Sequence, residues 1–264
     1  MRLQIEHTTT FTYDQPISEA YTEMRLKPLD MDGQRCLTFQ LTTEPQDLVQ
    51  QYADHFGNDV RHFDVVQPHQ KLMVSAVSEV LTVDTYSADS SILSPLDAFN
   101  YLTPTDYAPH SPDLAGFSAS HKIADSPLES AMALMHTIHE NLVYEKGATD
   151  VTTTADKALS LGRGVCQDFS HIMLAVCRLQ NIPARYVSGY LYNNGHTAAS
   201  HAWVDVLVPG RGWVSLDPTH NTEQTEQYVR VAVGRDYADV PPTRGIFKGN
   251  AKEKMDVSVS IKVY

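Results

Sequence analysis

Polar and apolar residues alternate along the N-terminal third of the chain. Leu3, Ile5, His7, Thr9, Phe11 and Tyr13 fall on one face of a period-two segment, and CLTFQLTT (36–43) and KLMVSAVSEVLTVDTY (71–86) repeat the alternation. That period puts successive side chains on opposite faces of a strand. Pro, Gly, Asn and Asp in KPLDMDG and FGND punctuate the runs and end them in turns. Strands without an intervening helical period predict an antiparallel sandwich or half-barrel over residues 1–90.

The pattern lapses between 91 and 125. SADSSILSPLD and TPTDYAPHSPDLAG are rich in Ser, Pro and Asp, which predicts an ordered connecting segment and a domain boundary. A helical period then sets in. Ser126 is an N-cap, Pro127 suits the first helical position and Glu129 completes a capping box. Leu128, Ala131, Met135, Ile138 and Leu142 follow as the buried stripe. TADKALSL predicts a short second helix ended by Gly162 as a left-handed cap, and CQDFSHIMLAVCRLQN a third, stopped before Pro183. ARYVSGYLY, SHAWVDVLV and GWVSLDP then read as strands joined at Asn-Asn-Gly and Pro-Gly-Arg-Gly turns, with YVRVAVG and MDVSVSIKVY as further strands. Helices followed by antiparallel strands make residues 126–264 an α+β unit.

Composition narrows the partners. A net charge of −12 over 264 residues argues against nucleic acid and against an anionic membrane surface, both of which call for a basic face. Three cysteines do not suggest a disulfide framework. The N-terminus has no apolar signal core, and no apolar run approaches the ~20 residues that span a bilayer. A reducing cytoplasm is the expected compartment.

Three residues carry candidate chemistry: Cys166 at the start of the third helix, His201 on a strand and Asp217 at the end of the next strand. A helix N-terminus and an adjacent imidazolium both favour thiolate over thiol. An imidazole carries the proton, and a carboxylate fixes its tautomer and stabilises its charged form. Gly162 and Gly164 flank Arg163 in a tight turn ahead of Cys166, whose first-turn N–H groups suit an oxyanion. Taken alone, a Gly-Cys turn also fits a buried structural cysteine. Cys36, opening a strand, and Cys177, inside an apolar helix stretch, read as structural.

With a hairpin closing at 209–212, Asp217 lies opposite or diagonal to His201, within ~7–8 Å. Asp205 shares that face but is ~13 Å along the strand, so it is the weaker partner. His136 and His139 are three apart on a helix without a third ligand, and the cysteine spacing is wrong for zinc. His171 turns away from Cys166 on the helix, and Asp168 reads as a charge favourable to the helix dipole. No metal or cofactor is expected.

The blocks GVCQDFSH, IPARYVSGYL, SHAWVDVLVPGRGWVSLDPTH and RVAVGRDYADVPPTRGIFKG resemble the bacterial branch of the transglutaminase-like superfamily. The resemblance runs nearly the whole length. It implies an N-terminal β region followed by a papain-like core, with a Cys, His, Asp triad in chain order that matches Cys166, His201 and Asp217. Animal transglutaminases carry a tryptophan after the nucleophile and another upstream that helps hold the oxyanion. Here Gln167 follows the cysteine, and Trp203 and Trp213 come later. Their calcium-binding acidic sites have no clear match either. Both departures point away from calcium-dependent cross-linking and toward a peptidase or amidase.

Three functions follow. The first is a cysteine hydrolase acting on a peptide or amide bond through a thioester at Cys166. The second is an acyltransferase in which an amine replaces water. The third is a binding module without turnover, which an intact triad counts against.

Overall fold

The computed structural model describes residues 1–83, 94–120, 126–193 and 199–264. The end of the predicted strand at 84–86, residues 87–93 of the Ser-rich stretch and positions 194 and 195 of the Asn-Asn-Gly turn lie outside the described residues. Six strands occupy the N-terminal stretch: β1 (Arg2–Ile17), β2 (Glu19–Met24), β3 (Gln34–Glu44), β4 (Gln50–Ala53), β5 (Asp59–Val65) and β6 (His69–Thr82). The face predicted for β1, from Leu3 to Tyr13, is buried at every alternate residue. Periodicity singled out β1, β3 and β6. It passed over β2, whose buried positions are Ala20, Thr22 and Met24, because a small and a polar residue there blur the hydrophobic signal.

The stretch read as a connection holds two helices, α1 (Pro95–Leu102) and α2 (Pro112–Ala119). Both open on the same Ser-Pro start as α3 (Pro127–Asn141). Ser94 Oγ accepts the Asp97 N–H at 3.1 Å, Ser111 Oγ that of Leu114 at 3.3 Å, and Ser126 Oγ that of Glu129 at 3.4 Å. Of the three caps, sequence pattern singles out Ser126 and passes over Ser94 and Ser111, because α1 and α2 are too short to show a helical period. Then come β7 (Val143–Tyr144), α4 (Ala155–Leu161), β8 (Arg163–Gly164) and α5 (Cys166–Leu179). α4 ends at Gly162 with φ +64°, the predicted left-handed cap.

Strands β9 (Ala184–Leu191), β10 (Ala199–Val208), β11 (Gly212–Asp217), β12 (Thr222–Glu223) and β13 (Tyr228–Gly234) form one antiparallel sheet in the order β12-β11-β10-β9-β13. α5 packs on it and is buried from Gln167 to Arg178. Phe169, Ile172, Met173 and Val176 meet Val204, Val206 and Leu216 of the sheet and Leu134 and Ile138 of α3 in one core. A helix enclosed on every side is a rigid mount for whatever its first residue carries.

The last two strands turn back. β14 (Thr243–Lys248) pairs with β2, and β15 (Glu253–Val263) pairs with β1 along eleven residues. They complete two four-stranded antiparallel sheets, β15-β1-β6-β3 and β14-β2-β5-β4. Phe11, Leu72 and Val74 of the first pack against Met24, Phe63 and Val65 of the second, which is the sandwich. The division at 91–125 and 126–264 therefore needs correcting at both ends. α2 belongs with the helical half, since Leu114 sits in its core and Ser118 Oγ donates to the Val176 carbonyl at 2.9 Å. Residues 243–263 belong with the sandwich, because β14 pairs its backbone with β2 and β15 with β1.

The halves are locked by side-chain amides. β13 is an edge strand, and its outer backbone groups are taken by Gln34 and Asn58. Gln34 accepts from Arg230 N at 2.7 Å and donates to the Arg230 carbonyl at 2.8 Å. Asn58 makes the same pair of bonds with Val233, both at 2.8 Å. Two amides thus imitate a sixth strand and close the edge.

Candidate active site

Cys166 stands at the first position of α5, where an α-helix leaves N–H groups without intrahelical acceptors. The turn before it is laced to β7: Val143 and Glu145 donate their N–H groups to the carbonyls of Gly162 and Gly164, each at 2.9 Å. Asp168 reaches back from the helix's third position and accepts from Val165 N–H and Thr149 Oγ, each at 2.7 Å. A Cβ on Gly164 would lie 2.5 Å from that carboxylate, so only glycine fits there. Asp168 is thus the clamp on the Cys166 turn, more than the diffuse dipole charge predicted for it. Burial raises its pKa, against those two hydrogen bonds.

His201 and Asp217 meet as predicted. Val204 pairs with Leu216, and extending that register puts Asp217 diagonal to His201. His201 Nε2 lies 2.7 Å from Asp217 Oδ2. That leaves Nδ1 for the Cys166 thiol, with which His201 also hydrogen-bonds. Burial alone would lower the His201 pKa; the bonds to Asp217 and Cys166 outweigh it and raise it to about 10. Burial likewise works against ionised Asp217, yet hydrogen bonds from His201 and His220 hold it well below the usual carboxylate range. The arrangement stores a proton on His201 between a fixed anion and a thiol.

Sequence reasoning missed two of Asp217's partners. His220 Nδ1 lies 2.8 Å from Oδ2 and the Tyr228 hydroxyl donates to the same oxygen at 2.7 Å, while Oδ1 accepts Thr219 N–H at 2.8 Å. His220 was accessible in principle, as it follows Asp217 by three residues in DPTH. Tyr228, eleven residues on and two strands across, was not. His136 and His139 of α3 hold the intervening loop, through Asn221 Nδ2 at 3.0 Å and the Thr219 carbonyl at 3.0 Å. Among the described residues, His201, Asp217 and His220 are also a set able to hold a metal, with ligand atoms within 4.8 Å, although both imidazoles already bond one carboxylate oxygen.

Asp205 is not brought to His201. It is fully buried between Arg230 and Arg185, the latter at 2.9 Å, with Ser215 Oγ donating at 2.7 Å. Burial opposes its charge, and the two guanidinium groups pull its pKa down to about 2. His171 points into the core, stacked on Tyr107, with burial lowering its pKa to about 3. Cys177 is buried and its thiol is pushed up to about 12; burial also raises Cys36, on β3 in the sandwich. Two tyrosines unnoticed in the sequence lie near Cys166: burial first, then the electrostatic interaction with Cys166, raises the pKa of both Tyr144 and Tyr186.

Among the described residues, two openings meet at His201. One, of about 260 Å³, reaches both Cys166 and His201 and runs toward the sandwich. The other, of about 400 Å³, reaches His201 but not Cys166 and is bordered by Tyr144, Lys146 and His220. A group bonded to sulfur would occupy the first, and a group exchanging a proton with the imidazole the second.

Comparison with known proteins agrees with this architecture. Residues 3–81 match the bacterial transglutaminase-like N-terminal region, and residues 118–218 match the transglutaminase-like superfamily. An uncharacterized protein of Mycobacterium leprae is 35% identical over 275 residues, covering 98% of both chains. A protein-glutamine gamma-glutamyltransferase of Pseudomonas aeruginosa is 32% identical over 127 residues, covering 42% of this chain and 19% of that one. Among solved structures, a Cytophaga hutchinsonii protein provisionally described as a cysteine protease superposes with a TM-score of 0.81 at 24% identity, covering 100% of this chain and 91% of that one.

Proposed function

Starting from a chain that belongs to the transglutaminase-like superfamily, we propose a cysteine hydrolase that cleaves an amide or peptide bond through a thioester at Cys166. The observation that carries the reading is His201 held between the Asp217 carboxylate, at 2.7 Å, and the Cys166 thiol at a helix start.

The thiolate attacks the carbonyl carbon and a C–S bond forms. The oxyanion is received by first-turn N–H groups of α5. Collapse breaks the C–N bond, and His201 gives its proton to the leaving amine on the side of the larger recess. Water enters from that side, loses a proton to His201 and attacks the thioester; the C–S bond breaks and the thiolate returns. Asp217 stays ionised throughout and keeps the imidazole oriented.

A second reading has support of its own. The partial match to a protein-glutamine gamma-glutamyltransferase favours an amine in place of water, and the same recess would admit one. The test is intact mass of the protein after exposure to a panel of acyl amides, with and without a primary amine. An acyl adduct on Cys166, absent in Cys166→Ala and released as free acid, is the expected result. Release only as the amine conjugate selects transamidation. No adduct from any donor, with Cys166 no faster than Cys36 or Cys177 toward iodoacetamide, would sink both readings.

A further inference from the structure

The smaller cavity has one wall from each half of the molecule. Tyr186 and Ser188 of β9 form the catalytic side, and His7 and Thr9 of β1 with Met255 and Val257 of β15 form the other. Register explains the grouping: Thr9 pairs with Val257 and Phe11 with Met255, so the four residues lie on adjacent rungs of one sheet. Met255 and Val257 are half exposed, at 52% and 49%, while Val259 and Ile261, next on the same face, pack into the core. Two apolar side chains left open beside a reactive thiol ask for an apolar occupant.

The described wall opposite the Cys166–His201 pair is also uncharged. Apart from the Cys166–His201 pair, the described lining holds no Asp, Glu, Lys or Arg, in a chain whose residues are 20% charged. His7 has both ring nitrogens engaged, with the Tyr190 hydroxyl at 2.9 Å and Thr9 Oγ at 3.2 Å, and burial keeps it neutral down to about pH 4. An ammonium entering here would lose water and find no Asp or Glu in the described lining, and a carboxylate would find only the His201 imidazole, already bonded to Asp217.

Because this cavity touches the sulfur and the larger recess touches only the imidazole, it is the acyl side. We infer that the sandwich is a specificity element: β1 and β15 wall a pocket that takes an apolar side chain on the acyl group and rejects a charged one. The inference rests on Cys166 being the nucleophile proposed above.

p-Nitrophenyl esters of benzyloxycarbonyl-leucine, -glutamate and -lysine test it. Cys166 attacks the ester carbonyl, a C–S bond forms, the C–O bond breaks and nitrophenolate leaves as the anion, so this acylation needs no proton from His201. Each rate is divided by the iodoacetamide rate of the same variant. The leucine ester should acylate at least about tenfold faster than the other two. Val257→Lys should raise the glutamate ester against leucine by about tenfold, Met255→Lys should act alike if the first variant folds poorly, and Ser258→Lys, on the opposite face of β15, should leave the order unchanged. Equal rates for all three esters, or an order unmoved by both cavity variants, overturns the pocket assignment and leaves Cys166 as nucleophile. Absence of acylation by every ester, judged against Cys166→Ala, overturns the function beneath it.

Discussion

At Asp217, one carboxylate oxygen receives His201, His220 and Tyr228, and the other receives backbone N–H groups. Asp205, on the same strand as His201, receives two arginines instead. The two aspartates should therefore fail differently. Asp217→Asn removes the charge that holds His201 protonated, and kcat/KM should fall about 10–10³-fold, less than the ~10⁴ of serine enzymes because an ion pair already activates a thiol. Asp205→Asn leaves Arg230 buried without its counter-charge, and unfolding in denaturant should show a loss of about 3–5 kcal/mol with kcat/KM per folded molecule little changed. The reverse pattern would mean that Asp205 serves His201 and the strand register is wrong.

Among the elements, β13 depends on residues far from it in sequence. Asn58 is wholly buried and supplies both a donor and an acceptor to Val233. Asn58→Ala strands a buried N–H and a buried carbonyl, each worth about 1–3 kcal/mol. Thermal or denaturant unfolding should register a loss of about 2–4 kcal/mol, part of it recoverable if water enters the gap. A variant as stable as the parent would show that the amide is dispensable to the edge. Because β13 carries Tyr228, the same variant should also weaken the grip on Asp217.

For the whole molecule, two buried neutral histidines set an acid limit. His7 sits where the sandwich meets the catalytic half, and His171 points from α5 into the core; burial lowers their pKa values to about 4 and about 3. Unfolding returns both to the ordinary 6.5, so between those values the unfolded chain binds more protons and stability drops as pH falls. The loss begins below about pH 6.5 and, for His7 alone, is on the order of 3 kcal/mol by pH 4. His201 contributes nothing to this window: its raised pKa stabilises fully below 6.5 and is lost only as pH climbs through about 10. Melting temperatures measured from pH 7 down to pH 4 should fall steadily, and His7→Gln should flatten the slope. A flat profile in the parent would mean that the histidines are hydrated.

Local pattern was enough for much of this protein. Alternation in β1, the Ser126 cap, Gly162 as a left-handed stop and Cys166 as the first residue of a helix are all short-range facts, written within a few residues of where they act. The hairpin between β10 and β11 extended that reach to the pairing of His201 with Asp217, since a tight turn dictates its own register. Periodicity reports which face is buried and is silent about what buries it. Hence the return of β14 and β15 to strands some 220 to 260 positions earlier, the arginines around Asp205, Tyr228 on Asp217 and the sandwich wall beside Cys166 were decided only by packing. Each depends on satisfying buried polar groups and filling space across separate elements, and no single periodic run contains both partners.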